Sequence, residues 1–348
     1  MEGSAGNSGR SRFTAYAWLV LGFDVLVILW GTVVRATGSG NGCGDHWPLC
    51  NGQVIPHAAE IATAIEFAHR LTSALALVLV AVLAYWAFRK FAAGHAARRY
   101  AGAALFFTLT EGLIGAALVL FGDVGNNVSV SRVGILSLHL TNTFLLLASL
   151  ALTARAAGES WHAGSGQDPG ERVQREAPAW GLITACAVAL TGTLGLAVTG
   201  TIAALADALF HPTSLAQGLQ WDFSAASSPI LRLRVIHPVV AVFVGTFLMV
   251  LAAHTLSTRA PAPAKRAARY LLGLVALQFC FGALNVALLA PVWMQVLHLL
   301  TADLIWITLV LLSADLMSRQ KIAPVASSHQ PISLASEPVS LQDSPIAR

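Results

Sequence analysis

Residues 61–88 read IATAIEFAHRLTSALALVLVAVLAYWAF, a largely apolar stretch with Glu66 and His69 near its start. A helix that crosses the hydrocarbon core of a bilayer needs about 20 such residues. The stretch therefore predicts a membrane-spanning helix that carries a carboxylate and an imidazole. Seven further stretches meet the same requirement, at about 15–34, 101–121, 133–154, 179–206, 230–256, 270–290 and 292–314.

The composition of the whole chain agrees with a membrane protein. Of the 348 residues, 56% are hydrophobic and only 11% are charged, whereas about 25% are charged in a typical soluble protein. The mean hydropathy is +0.67. This chain has too few polar residues to cover a soluble domain, which excludes a soluble enzyme, a disordered protein and a nucleic-acid-binding protein. We predict an all-α integral membrane protein with eight transmembrane helices.

The basic residues predict the orientation of the spans. If the N-terminus lies in the cytoplasm, most of the 21 Lys and Arg residues also fall on the cytoplasmic side, as the positive-inside rule requires. Both termini are then cytoplasmic, in a multi-pass protein of the cell membrane. The exceptions, on the outer side, are Arg35, Arg70, Arg132, Arg232 and Arg234.

Polar segments divide the chain into five parts. Residues 1–14 form a cytoplasmic segment without the cleavage pattern of a signal peptide, so we expect the first span to be retained. Residues 15–154 and 178–317 are two groups of four spans, and residues 155–177 form a cytoplasmic linker between them. Residues 318–348 are predicted to be a disordered cytoplasmic tail.

The two groups of spans resemble each other. Span 3 contains LTEGLIGAALVL and span 7 LQFCFGALNVAL, while span 4 contains SLHLTNTFLLL and span 8 VLHLLTADLIW. Further similarities pair span 1 with span 5 and span 2 with span 6. Because each group has an even number of spans, both keep the same orientation. We therefore predict two parallel four-helix-bundle repeats.

Each group has one histidine on its second span and one on its fourth: His69 and His139, then His237 and His298. All four lie roughly 9–12 Å from the outer helix end. Intramembrane histidines are costly and usually functional, and two opposed imidazoles in a helical bundle suit the axial positions of a haem iron. The alternatives are hydrogen bonds to neighbouring helices, or zinc, for which no cysteine or carboxylate cluster is at hand.

The two histidine pairs have different neighbours. Glu66 precedes His69 by three residues and shares its helix face, whereas the equivalent residue before His237 is Arg234, with Arg232 nearby. A carboxylate beside a haem can accept a proton or stabilise positive charge, whereas an arginine can pair with a haem propionate. We therefore predict chemistry in the N-terminal half and a permanently held haem in the C-terminal half.

Four intramembrane acids also have structural interpretations. For Glu66 the alternative is a salt bridge to Arg70, one turn later. The remaining acids could form a proton path, but interhelical bonds are the favoured interpretation. They are Asp24, Glu111 and Asp303.

The first outer loop contains two cysteines, in GCGDHWPLCNG at residues 42–52. The loop faces an oxidising space in which a disulfide can persist, and its Gly, Asn and Pro residues supply turns that bring the sulfurs together. The sequence favours a Cys43–Cys50 disulfide, structural or redox-sensitive, over a reactive thiol pair. Cys186 and Cys280, in spans 5 and 7, are expected to be buried and inert.

Together these motifs resemble the haem A synthase family. The resemblance rests on TGSGNGCGDHWPLCNG in the first outer loop, IEFAHR on span 2, SLH on span 4, RLRVIHP on span 6 and LH on span 8, and it covers about residues 15–315. That family oxidises the C8 methyl of haem O to a formyl group in two steps, for terminal cytochrome oxidase. The loop between spans 5 and 6 lacks the second cysteine pair of some family members.

The resemblance implies a role for each candidate residue. His69 and His139 would hold the substrate haem, and His237 and His298 would hold a haem B cofactor. Glu66 would be the catalytic carboxylate, and the loop cysteines would form a disulfide.

The resemblance also implies partners. Haem O is the substrate, membrane lipid surrounds the chain, and a haem O synthase and an electron acceptor such as a quinone are candidate partners. Nucleic acid is not expected, and the sequence leaves oligomerisation open.

Two other functions remain possible from the sequence. One is a di-haem membrane cytochrome b that only carries electrons and does not need Glu66. The other is a transporter, which would need helix breaks matched between the repeats.

Overall fold

The computed structural model describes residues 2–57, 60–125, 127–163, 172–175, 179–318 and 320–323. They form a 3₁₀ turn at Ser39–Asn41, two short strands and ten α-helices. The strands are β1 (Arg172–Arg175) and β2 (Gln320–Ala323). The helices are α1 (Glu2–Ala36), α2 (Ile61–Lys90), α3 (Ala96–Leu120), α4 (Val130–Ala163), α5 (Trp180–Leu209), α6 (Leu215–Phe223), α7 (Pro229–Arg234), α8 (Ile236–Ser257), α9 (Ala262–Ala287) and α10 (Val292–Met317).

Eight helical segments of the described chain are long and apolar enough to cross a membrane, which confirms the predicted number. The sixth, Pro229–Ser257, combines α7 and α8, with an interruption at Val235. Three helices begin well before their apolar stretches: α1 at Glu2, α3 at Ala96 and α9 at Ala262. The first turns of α3 and α9 are rich in Ala, Arg and Lys, which favour helix, and their charged residues lower the hydropathy by which a span is recognised.

Helices α1 to α4 form the N-terminal bundle, in which α1 and α3 each pack against both α2 and α4. The bundle core contains the fully buried side chains of Phe13, Leu83, Leu147 and Leu150. The Phe13 ring meets the Trp86 ring edge-on, with centroids 5.5 Å apart. Tight apolar packing thus fixes one end of the bundle and leaves the other end available for the site.

Helices α5, α8, α9 and α10 form the C-terminal bundle. Here α8 packs against α5 and α9, and α10 packs against the same two helices. The core contains Cys186, Leu248, Leu271, Leu309 and Leu312. The order of neighbouring helices is the same as in the N-terminal bundle, in agreement with the predicted pair of repeats.

Helix α10 joins the two bundles. Nε1 of Trp306 donates to the Phe144 carbonyl on α4 at 2.6 Å, and the two rings stack with centroids 5.2 Å apart. Ile307 contributes to the N-terminal core, although it lies on a helix of the C-terminal bundle. Near the end of α10, Nε of Arg155 donates to Asp315 at 2.7 Å. The halves are therefore tied together along α10.

The polar segments differ in part from the prediction. Helix α4 continues to Ala163, so the first residues of the predicted linker, 155–177, are helical. Strand β1 of the linker pairs antiparallel with β2, which belongs to the predicted tail, 318–348. Residues 164–171, 176–178, 319 and 324–348 lie outside the described residues, so the disorder of the tail stays a prediction.

The expectation that both non-loop cysteines are buried is wrong for Cys280. Cys186 is 1% exposed in the C-terminal core, whereas Cys280 is exposed on α9. Since lipid-facing and core-facing positions of a membrane helix are both apolar, the sequence around a cysteine does not show which face it occupies.

Candidate functional site

A cavity of about 1600 Å³ lies between the two bundles and is lined mainly by apolar residues from both. Typical ligand pockets measure about 300–1,000 Å³, so this cavity has room for more than one ligand of ordinary size. All four predicted histidines line it. The structure therefore brings together the two histidine pairs that the repeat predicted.

A glycine lies against the first histidine of each pair. A Cβ on Gly31 of α1 would lie 3.1 Å from Cε1 of His69. A Cβ on Gly200 of α5 would lie 3.0 Å from Cε1 of His237. Each glycine precedes a threonine at matching places in the two repeats. The absence of a side chain there lets the imidazole pack directly on the neighbouring helix.

In the N-terminal half, His139 contacts an acidic residue of α3. Its Nδ1 lies 2.9 Å from Oε1 of Glu111. Oε2 of Glu111 accepts from Nδ2 of Asn142 at 2.5 Å, and Oε1 accepts from the Thr143 hydroxyl. Glu111 thus makes the interhelical bonds predicted for it. Because a carboxylate only accepts, the contact favours the proton on Nδ1 of His139 and leaves the Nε2 lone pair available.

In the C-terminal half, the rings of His237 and His298 lie with centroids 6.3 Å apart and planes at 78°. Nδ1 of His237 lies 3.2 Å from the Thr199 hydroxyl, which donates to the Leu196 carbonyl at 2.8 Å. That hydroxyl therefore accepts from Nδ1, and Nε2 of His237 keeps its lone pair. Nε2 of His298 lies 3.2 Å from Nε2 of Gln278.

These imidazoles fit an iron with two axial nitrogen ligands. Two metal–nitrogen bonds of about 2 Å place the ring nitrogens about 4 Å apart, which the 6.3 Å between the ring centroids of His237 and His298 accommodates. A proton on Nδ1 of His139 and of His237 is the usual arrangement for metal binding through Nε2.

A structural zinc ion would require a group of at least three His, Cys, Asp or Glu ligands. Within the described part of the chain, no such group is present.

Glu66 is only 4% exposed and lines the cavity. Its Oε2 accepts from the Cys43 amide at 2.8 Å, and its Oε1 accepts from Nη2 of Arg70 at 2.6 Å. Nη1 of Arg70 in turn donates to the carbonyls of His46 and Leu49. The structural alternative, a Glu66–Arg70 salt bridge, is therefore present. The same carboxylate ties α2 to the first outer loop at the edge of the cavity.

The first outer loop is closed by a Cys43–Cys50 disulfide, as predicted. Both cysteines are buried, and the Asn51 amide donates to the Cys43 carbonyl at 3.0 Å. Trp47 and Pro48, between the cysteines, line the cavity. The disulfide therefore shapes the loop that covers one end of the cavity next to Glu66.

The two arginines predicted to bind haem propionates occupy different surroundings. Arg234 lines the cavity, where its Nη1 bonds Asp207 at 2.9 Å and its Nη2 bonds Asp222 at 2.7 Å. Arg232 is exposed and borders a smaller recess beside Phe223. The charge of Arg234 is thus already compensated, and Arg232 does not join the main cavity.

Two further arginines at the cavity were not predicted as site residues. Arg35 donates from Nη1 to the Ala204 carbonyl at 2.6 Å and from Nη2 to Gln295 at 2.9 Å, so it bridges the two halves. Arg132 is 5% exposed and holds two loop carbonyls through Nη1. The sequence indicates only that both arginines fall on the predicted outer side, against the positive-inside rule. That exceptional position is the signal that could have identified them.

The expected interhelical bond is not formed by Asp303. This residue is fully buried, and neither carboxylate oxygen has a hydrogen-bond partner among the described residues. It precedes Trp306 and Ile307 by three and four residues, so it shares their face of α10, which packs against the apolar core of the N-terminal half. Oδ2 of Asp24, which lines the cavity, also lacks a partner within the described chain.

The fold and site define an eight-span membrane protein in which two histidine pairs, one in each four-helix half, face a shared cavity. The COX15-CtaA family model, described as "Cytochrome oxidase assembly protein", matches residues 14–310. The chain belongs to this family, which confirms the resemblance predicted from the motifs.

Several relatives are similar to this chain. A Thermus thermophilus protein named "Protoheme IX farnesyltransferase" is 46% identical over 310 residues, which cover 89% of this chain and 49% of that protein. A "Heme A synthase" of Alkalihalophilus pseudofirmus is 37% identical over 135 residues, 39% of this chain and 43% of the relative. Another, of Halalkalibacterium halodurans, is 40% identical over 127 residues, 36% and 42% respectively. The chain spans about half the length of the relatives it matches.

Proposed function

We propose that the chain is a haem A synthase of the cell membrane, with cytoplasmic termini, that oxidises the C8 methyl of haem O to a formyl group for terminal cytochrome oxidase. The observation that carries the proposal is the buried Glu66 carboxylate at the cavity, one helical turn from His69. Arg234 occupies the corresponding position before His237. One histidine pair therefore has an adjacent carboxylate suited to chemistry, and the other does not.

The two histidine pairs would hold two different haems. His69 and His139 would bind the iron of the substrate, haem O, and His237 and His298 would bind that of a haem B cofactor. When bound, haem B would supply a one-electron redox centre close to the substrate. The largely apolar lining suits a porphyrin, and the Nδ1 contacts of His139 and His237 support iron binding through Nε2.

The reaction converts a methyl group to a formyl group, takes one oxygen atom from water and releases four electrons and four protons. The first two-electron oxidation gives an alcohol, and the second gives a gem-diol, which loses water to form the aldehyde. Glu66 would accept a proton or stabilise positive charge that develops on the methyl carbon. Arg70 and the Cys43 amide fix the carboxylate for this task. The electrons would leave to an external acceptor such as a quinone.

We also propose that a haem O synthase supplies the substrate. The name of the Thermus relative supports this partner, because this chain covers only 49% of a protein that is called a farnesyltransferase. A farnesylated haem is hydrophobic, so transfer within the membrane would avoid its exposure to water.

The test is haem extraction from a host that makes haem O but lacks its own haem A synthase. We expect haem A with the wild-type chain and with Glu60→Gln, a matched change at an exposed position, but not with Glu66→Gln, which should still bind haem. Normal haem A formation by Glu66→Gln would refute the catalytic role. If the folded wild-type chain left haem O unconverted with an acceptor present, the di-haem cytochrome b would replace the proposed enzyme.

A further inference from the structure

The two halves place different groups against the last histidine of each pair. When Gly115-Ala116 of α3 is aligned with Gly282-Ala283 of α9, Glu111 falls opposite Gln278. The structure agrees with this alignment, because Glu111 contacts His139 and Gln278 contacts His298. The two contacts differ in kind: Glu111 lies against Nδ1 of His139, whereas the Gln278 amide lies against Nε2 of His298. Nδ1 of His298 has no hydrogen-bond partner among the described residues.

The surroundings of Glu111 hold its carboxylate in place. Asn142 and Thr143, three and four residues after His139, both donate to it. The Thr110 hydroxyl donates to Oδ1 of Asn142 at 2.7 Å, which fixes that side chain in turn. The corresponding residues after His298 are Thr301 and Ala302. Thr301 donates to the carbonyl of its own helix at Leu297 instead, so the C-terminal half lacks this network.

A carboxylate on Nδ1 of an iron-ligating histidine makes the ligand more basic, because it draws the Nδ1 proton and pushes charge towards Nε2. A more basic ligand stabilises the ferric iron relative to the ferrous iron and so lowers the reduction potential. The Gln278 amide does not act in this way, because it contacts Nε2 of His298 and not Nδ1. The exchange of Glu111 for Gln278 therefore distinguishes two otherwise similar sites.

We propose that Glu111 is a positioning residue that acts through His139 to give the haem of the N-terminal half a lower reduction potential than the haem of the C-terminal half. The inference deepens the proposed function, because each electron taken from the substrate haem would then move downhill to the haem B cofactor. No further oxidant is needed for that transfer, since haem B is reduced by one electron as the substrate haem is oxidised by one.

The test uses the full chain, purified in detergent and loaded with haem B in both sites. Spectroelectrochemical titration of the wild type should show two potentials. Glu111→Gln should raise the lower of the two reduction potentials by about 59 mV. This shift corresponds to a roughly tenfold weaker preference of that haem iron for the ferric state, for a one-electron couple. Glu111→Leu also removes the carboxylate from Nδ1 of His139, so it should raise the same potential and leave the higher one unchanged. It provides an independent test if Glu111→Gln does not fold.

The outcomes separate this inference from the proposed function. If Glu111→Gln binds two haems but leaves both potentials unchanged, or moves the higher one, the inference is wrong whether or not the chain makes haem A. The same holds if a folded Glu111→Leu variant with two bound haems shifts neither potential. If both shifts appear but the wild type makes no haem A in the extraction assay, Glu111 tunes a haem as inferred and the proposed enzyme activity fails.

Discussion

Replacing Gly200 by alanine should weaken haem binding in the C-terminal half about tenfold to a hundredfold. A Cβ there would lie 3.0 Å from Cε1 and 3.4 Å from Nδ1 of His237. The imidazole would have to move by a few tenths of an ångström, and such overpacking costs about 1–3 kcal/mol. In the free protein the ring can turn away from the methyl group. An iron bond would prevent that movement, so the cost falls on binding, at about 1.4 kcal/mol per tenfold in affinity.

The matched control is Gly195→Ala on the same helix, where a Cβ would meet nothing within 4 Å. Both substitutions change the helix propensity of α5 by the same amount, up to about 1 kcal/mol, so a difference between them reports the contact with His237. The assay is a titration of haem B into purified chain that also carries His69→Ala, which restricts bis-histidine binding to the C-terminal pair. If Gly200→Ala bound haem B as tightly as Gly195→Ala, the close packing would not control the imidazole.

Two further changes test the polar contacts around the cavity. Arg234→Met should lower the free energy of unfolding by on the order of 3 kcal/mol, because it leaves Asp207 and Asp222 without their shared cation. In thermal unfolding, changing both aspartates to Asn as well should restore the stability. If it does not, the loss of the cation is not the cause. Replacing Cys43 and Cys50 by Ser should cost about 2 kcal/mol, since the disulfide closes a short loop. A melting temperature equal to that of the wild type without reductant would contradict this estimate.

The number of spans and the histidine pairs can be predicted from sequence because each depends only on distance along a helix axis. The bilayer thickness sets the length of an apolar helix, and the rise of 1.5 Å per residue sets the depth of each histidine along it. The closure of the first outer loop by Cys43 and Cys50 is also local, since the cysteines lie in one short turn-rich segment.

Contacts between helices are harder to predict, because they depend on how each helix is rotated about its axis. The sequence favours an interhelical bond for Glu111, but nothing near it indicates that the partner is His139. In the same way, nothing near Cys280 indicates that its side of α9 is exposed. Arg234 shows a further limit. Its position before His237 does not indicate that two aspartates from other parts of the chain bond its guanidinium, and its pairing with a haem propionate stays a prediction.

The structure also shows which charge differences between the repeats can give the two histidine pairs different electrostatic surroundings. Glu66 and Arg234 stand at corresponding positions with opposite charges, but Arg70 neutralises the first and Asp207 with Asp222 more than neutralises the second. Their fields at the histidines are therefore much reduced.

Glu111 differs from both, because no Lys or Arg among the described residues pairs with it, and the imidazole it contacts is that of His139. Its remaining hydrogen bonds come from neutral side chains, which orient the carboxylate without cancelling its charge. The repeat-equivalent Gln278 carries no charge at all. Of the exchanges between the halves, the one from Glu111 to Gln278 therefore keeps the largest electrostatic effect on a histidine, and it should determine which haem is the easier to oxidise.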